Sequence, residues 1–167
     1  MFGRDLRVGL VVTDLYEDRE LFYPYYRLRE AGARVDVLGT NGARQRGIYG
    51  IPIEQDLHIG DARPADYDGL VIPGGPDSAP PELVRFVREV HGCGGVIAAI
   101  SQGGRVLATA GLAAGRRITS ARTVQDELVD AGGMWVDQEV VCDGRLITSR
   151  RPDDLPAFCR ALIDVLA

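Results

Sequence analysis

Ser101 stands in the segment VIAAISQGG, where an apolar run meets two glycines. A polar residue between a buried strand and a helix, with Gly103 and Gly104 to relieve a tight turn, has the layout of a nucleophile elbow. The hydroxyl there would face the amino end of the following helix, whose partial charge favours an anion. Backbone N–H groups of Gln102 and of a second loop, Gly74-Gly75, would make an oxyanion hole for acyl chemistry. A base is what the segment lacks. A serine hydroxyl needs one to become a useful nucleophile, and Gln102 cannot take a proton. Glu17 is the nearest carboxylate in the expected arrangement, and a carboxylate serves as base only if burial raises its pKa strongly. Alternatively, Ser101 simply caps a helix. Arg105, one turn on, would hold a carboxylate or phosphate, or pair with an acid such as Glu17.

The elements that must position these groups follow from periodicity. Arg7 to Thr13 is an apolar, β-branched run and predicts a buried strand. A helical pattern opens at Asp18 and runs through Leu21, Phe22, Tyr25 and Leu28 to Gly32, with Pro24 inside it predicting a kink or a broken first turn. Strands follow at Arg34 to Leu38 and Asp66 to Pro73, with one or two short edge strands outside the main sheet between Gly42 and Ile59. A helix from Pro80 to His91 leads to the strand Gly95 to Ile100, and Arg105 to Ala110 forms a short helix. Ile118 to Ser120 is a brief strand and Val124 to Ala131 a helix. The strands Val136 to Cys142 and Leu146 to Ser149 are joined by the hairpin signal Asp143-Gly144. Asp153-Asp154 caps a last helix ending at Leu166. Alternating strands and helices make an α/β fold, a three-layer sandwich with a mostly parallel central sheet and helices on both faces. Ligands of such sheets bind beyond the carboxyl ends of the strands, which selects Asp14 to Glu20, Pro73 to Ser78 and Ser101 to Arg105.

Composition narrows the function classes. The chain has 167 residues, 46% of them hydrophobic, enough for one domain over 1–167. Its net charge of −5 is interspersed, so no basic stripe speaks for nucleic acid. No apolar stretch suits a membrane span or a signal peptide, and a cytoplasmic protein is expected. Three cysteines (Cys93, Cys142 and Cys159) and two histidines (His58 and His91) offer neither a disulfide framework nor a metal site, and no cofactor is expected. Cys142 and Cys159 read as small core residues, Cys93 as an incidental thiol. Tyr16 reads as a partly exposed loop residue, and Thr119, Ser120 and Arg122 as pocket-lining candidates. Phe22, Tyr23, Tyr25 and Tyr26 read either as an interface or as partly core.

The stretches YEDRELFYPYYRLREAG, YDGLVIPGG, AISQGG and GGMWVDQEVVCDGRLITSRRPDDLPAF resemble the ThiJ/PfpI family. That family includes PfpI-type intracellular proteases and belongs to the class I glutamine-amidotransferase-like superfamily, with a flavodoxin-like fold. The resemblance runs from about Arg7 to Leu166. It implies that Ser101 holds the place of the family's nucleophilic cysteine, Gln102 that of its histidine and Gly104 that of its proline. It also implies that Glu17 is the family's glutamate beside the thiol. PfpI-type proteases carry a further acid after the PGG loop. The segment Pro76 to Glu82 is shorter here, leaving Asp77 and Glu82 as candidates. With an alcohol for the thiol, the expectation is a protein without thiol catalysis, binding a small carbonyl or carboxylate ligand or acting in a stress response. The alternative is a PfpI-type hydrolase, peptidase or glyoxalase/deglycase-like, that uses Ser101. Family habit implies a homodimer or larger homo-oligomer.

Overall fold

The computed structural model describes residues 5–75 and 79–167. Asp77, and with it the loop from Pro76 to Ser78, lies outside the described residues. The central strands are apolar on both faces because both faces are covered: β1 (Arg7–Val12), β6 (Gly69–Ile72) and β7 (Val96–Ile100) are buried almost throughout. With β2 (Arg34–Gly39), β5 (Leu57–His58), β10 (Val140–Asp143) and β11 (Leu146–Ser149) they form a seven-stranded sheet in the order β10-β11-β7-β6-β1-β2-β5. Every pairing is parallel except the β10–β11 hairpin. Its turn uses Gly144 at φ +60°, a region costly for a residue with a Cβ.

One face packs α1 (Asp18–Glu30) and α5 (Leu155–Leu166) over a core that includes Leu21, Leu28, Phe158 and Leu162. The other packs α2 (Pro81–Gly92), α3 (Gly104–Thr109) and α4 (Gln125–Asp130) over Leu83, Val87, Leu107 and Leu128. In α2 the buried positions 83, 84, 86, 87 and 90 follow the helical period. This is the expected three-layer sandwich.

Several local expectations need correction. Of the segment 42–59, only β3 (Arg44–Arg46) and β4 (Pro52–Glu54) pair outside the main sheet, while β5 joins it beside β2. The strand at Ile118 shortens to β8 (Arg117–Ile118), which pairs with β9 (Met134–Trp135), an element the periodicity did not indicate. α1 runs unbroken through Pro24. Asp154 does not cap α5 with its side chain. Its carboxylate accepts instead from the Arg150 backbone and guanidinium, at 2.9 Å from Nε. Cys142 is exposed because it faces outward on the edge strand, whereas Cys159 is fully buried and burial pushes its thiol up to about 12. Phe22 and Tyr25 are half-buried against the core, while Tyr23 and Tyr26 are exposed. No helix among the described residues is long and apolar enough to cross a membrane.

Candidate active site

Ser101 directly follows β7 with φ +59°, a left-handed conformation rare outside glycine. A short 3-10 turn, Ser101–Gly103, follows before the six residues of α3. The turn can be this tight because residue 103 has no side chain: a Cβ there would lie 2.4 Å from the Ile72 carbonyl oxygen and 2.9 Å from that of Pro73. The neighbouring strand β6 thus presses the elbow upward, and its own continuation, Pro73 to Gly75, forms the opposite wall. This strained, half-exposed serine is the elbow the sequence indicated.

The carboxylate against it is Glu20, not Glu17. Glu17 is the N-cap of α1: its carboxylate accepts from the Glu20 N–H at 2.8 Å and pairs with Arg19 at 2.7 Å. Tied to its own helix start, Glu17 stands in the cleft wall, and among the described residues no hydrogen bond joins it to Ser101. Glu20, in the first turn of α1, is 0% exposed. Its Oε2 accepts from the Gly74 N–H at 2.7 Å. The Ser101 hydroxyl sits against the same carboxyl, close enough to favour its ionised form without closing a hydrogen bond of good geometry. Oε1 has no partner among the described residues. Burial is the largest influence on this acid and raises its pKa from the usual 4.5 to about 7. The Gly74 N–H opposes that rise, the Glu17 charge adds to it, and Ser101 and Arg19 oppose it.

The packing around this pair is tight. A Cβ on Gly74 would lie 2.5 Å from Glu20 Oε2 and 3.3 Å from Ser101 Oγ. Only glycine lets the carboxyl and the hydroxyl meet across the loop. Because the Gly74 N–H is committed to Glu20, Gly74 supports the acid rather than an oxyanion. Gly75 and Gln102 line the cleft at Ser101.

The cleft measures about 440 Å³ and is walled by Leu15, Glu17, Arg19, Glu20, Ile48 and Tyr49, with Gly74, Gly75, Ser101, Gln102 and Pro152 completing it. Several nominated residues stand elsewhere. Arg105 does not line this cleft. Its guanidinium grips Glu127 on α4 with Nε–O distances of 2.8 and 3.0 Å, so its acid partner is Glu127 rather than Glu17. Tyr16 is buried, with its hydroxyl donating to the Ile51 carbonyl at 2.5 Å, and burial pushes it up to about 12. Asp14 is exposed. Thr119 and Ser120 are buried behind the elbow, where Ser120 Oγ accepts from the Trp135 indole at 3.1 Å. Arg122 stacks on Trp135 and pairs with Asp137. Glu82 stands 3.9 Å from His58 at the β5 edge. His91 closes α2, where burial first and the Arg116 and Arg145 charges next lower its pKa. Neither imidazole lines the Ser101 cleft. Among the described residues no group of three metal-ligating side chains gathers.

Glu20 was the candidate site residue that spacing alone passed over, although a signal existed. Glu20, Pro24 and Leu28 share one helical stripe, and all three are buried. A carboxylate on an apolar stripe marks a group the fold needs inside.

Comparison with known proteins agrees with this architecture. The DJ-1/PfpI family model matches residues 6–165. An uncharacterised protein of Archaeoglobus fulgidus is 42% identical, over 96% of this chain and 98% of its own. The Pyrococcus furiosus protein named deglycase PfpI is 36% identical, over 96% of this chain and 99% of its own. A crystal structure of a two-domain Anabaena variabilis protein, with DJ-1/ThiJ/PfpI-like and ferritin-like domains, superposes with a TM-score of 0.92 at 33% identity, covering 97% of this chain and 48% of that one. With its sheet order, its elbow and this match over nearly its whole length, the chain belongs to the DJ-1/PfpI family.

Proposed function

We propose that this chain is a hydrolase-like member of its family in which Ser101 is the nucleophile and Glu20 its acid–base partner. One observation carries this reading: the buried Glu20 carboxyl, with no guanidinium closed upon it, stands against Ser101 and titrates at about 7. A base whose pKa lies near the working pH is half available and still strong enough to take a proton. That supplies what the sequence segment lacked. As the Ser101 Oγ–carbon bond forms, the hydroxyl proton passes to Glu20 and the carbonyl electron pair moves to oxygen. The amides of Gly75 and Gln102 stabilise that oxyanion. Collapse breaks the bond to the leaving amine or alcohol, which takes the proton from Glu20. Water then repeats the cycle on the serine ester. The deglycase name of relatives supports amine-bound carbonyl compounds as the substrate class.

A second reading keeps the site as a binding pocket for a small carbonyl or carboxylate ligand, without turnover, in a stress-related role. That no imidazole lines the cleft among the described residues favours it. Fluorophosphonate labelling with peptide mass mapping separates the two. We expect an adduct on Ser101, forming faster as pH rises through about 7 and absent in Ser101→Ala. A folded protein that stays unlabelled at pH 8 rules out the hydrolase and leaves the binding pocket.

A further inference from the structure

The mouth of the Ser101 cleft is apolar, and the chain holds it so at a conformational expense. Leu15 has φ +59°, the only described non-glycine residue besides Ser101 with positive φ. The residue is 50% exposed, so burial does not offset the strain. Leucine also lacks the short polar side chain with which asparagine compensates in this region. Strain kept without a packing return points to function. Both strained residues face the same cleft.

The loop between β3 and β4 completes the mouth. Asp18, buried in the first turn of α1, accepts from the Tyr49 N–H at 2.9 Å and the Ile51 N–H at 3.1 Å. The Ile48 N–H donates to the Tyr16 carbonyl, the Tyr16 hydroxyl to Ile51, and the Leu15 N–H to the Arg46 carbonyl. Gly47 is required because a Cβ would fall 2.2 Å from the Asp18 carboxylate. Arg19, held by Glu17, lies over the Tyr49 ring at 5.3 Å. A loop anchored at this many points nevertheless leaves Ile48 and Tyr49 more than half exposed. Their side chains, with that of Leu15, stand round the opening above Ser101.

We propose that Leu15, Ile48 and Tyr49 form a specificity collar, selecting carbonyl compounds that carry an aliphatic or aromatic group next to the carbonyl. The proposal rests on Ser101 being the ligand-facing residue, but not on its reacting. The collar would shed water around the apolar group while the carbonyl oxygen reaches the amides of Gly75 and Gln102. Each methylene held there adds affinity until the group outgrows the mouth.

The test is a chain-length series. Binding of 2-butanone through 2-octanone is followed by NMR titration of the full chain and of the Leu15→Gly, Ile48→Ser and Tyr49→Ser variants. Fluorophosphonate labelling is run on the same samples. We expect Kd to fall about two- to threefold per methylene, less than full burial would give because the collar is half open. The variants should reduce that factor below about 1.5. Leu15→Gly is the most informative variant, since glycine is relaxed at this φ and the protein should stay folded. A steep series without labelling sinks the reaction but keeps the collar. Labelling with a flat series, or a slope unchanged in all three variants, overturns the collar. A flat series accompanied by a sedimentation change in Tyr49→Ser assigns the surface to a second copy of the chain, which also overturns it.

Discussion

Two buried carboxylates sit at the same end of the sheet and meet opposite fates. Asp154, after β11, is 4% exposed and lies against Arg150, whose guanidinium reaches it through Nε and a terminal nitrogen at 2.9 and 3.1 Å. Those hydrogen bonds, to Asp154 first and Asp137 next, raise the pKa of Arg150 above its already high value. Asp36 on β2 repeats the pattern, with Arg7 at 2.5 Å and the Tyr67 hydroxyl at 3.1 Å. Glu20 is as deeply buried, yet it accepts one amide, has the Ser101 hydroxyl beside it without a closed hydrogen bond, and leaves an oxygen unpartnered among the described residues. A carboxylate closed by a guanidinium is a structural tie. One buried without such a partner is left titrating where cells operate. The same residue class is thus tied off in one place and left titratable in another, and the partner decides which.

The sharpest way to break this contrast is Glu20→Gln. Loss of the acid–base group should lower turnover, or the labelling rate at pH 8, by about 10²- to 10⁴-fold. Its stability should move the other way. The native state keeps a proton on Glu20 up to about 7, whereas the unfolded chain releases it near the usual 4.5. The native state therefore binds more protons across that window. The Glu20 contribution is fully present below about 4.5 and is lost as pH rises through about 7. At ~1.4 kcal/mol per pH unit, that loss is about 3 kcal/mol. Urea denaturation at pH 5 and pH 8 should show it in the native chain and not in Glu20→Gln. If both proteins follow the same pH curve, Glu20 is not the poised acid described here.

Asp154→Ala tests the other arm. It should destabilise by about 2 kcal/mol, below the range for a fully buried pair, because Arg150 is partly exposed and keeps Asp137. Its pH profile should keep the shape that Glu20 imposes. The smallest effect belongs to Glu17→Gln, at about 0.5–1 kcal/mol from the cap and the first turn of α1. Activity in that variant should fall by less than tenfold. A loss as large as that of Glu20→Gln would return Glu17 to the role its position in YEDRE suggested.

Much of the fold was legible because it is written in local periodicity. The runs RVGLVV and VIAAI are strands whatever they pack against, since burial on both faces leaves no polar alternation. The elbow at Ser101 was legible too, from a polar residue wedged between such a run and two glycines. The pieces that sequence misplaced lack periodicity. β5, β8 and β9 are two residues each, and only a partner strand makes them strands. Asp154 looked like a helix cap because Asp before an apolar run usually is one. The nearby Arg150 outbid the helix amides.

The sequence by itself determined the layers, the polar elbow at Ser101, and a Ser101-Gln102 pair that carries neither thiol nor imidazole. Tertiary structure decided which acid meets that alcohol. Glu17 and Glu20 are the same residue three positions apart, and the helix start that consumes one turns the other toward the sheet. Solvent exclusion and the Gly74 backbone, supplied by the loop after β6 more than fifty residues away, then set its proton affinity. No local pattern encodes that environment, because desolvation is a property of everything that surrounds a group and not of the residues beside it in the chain.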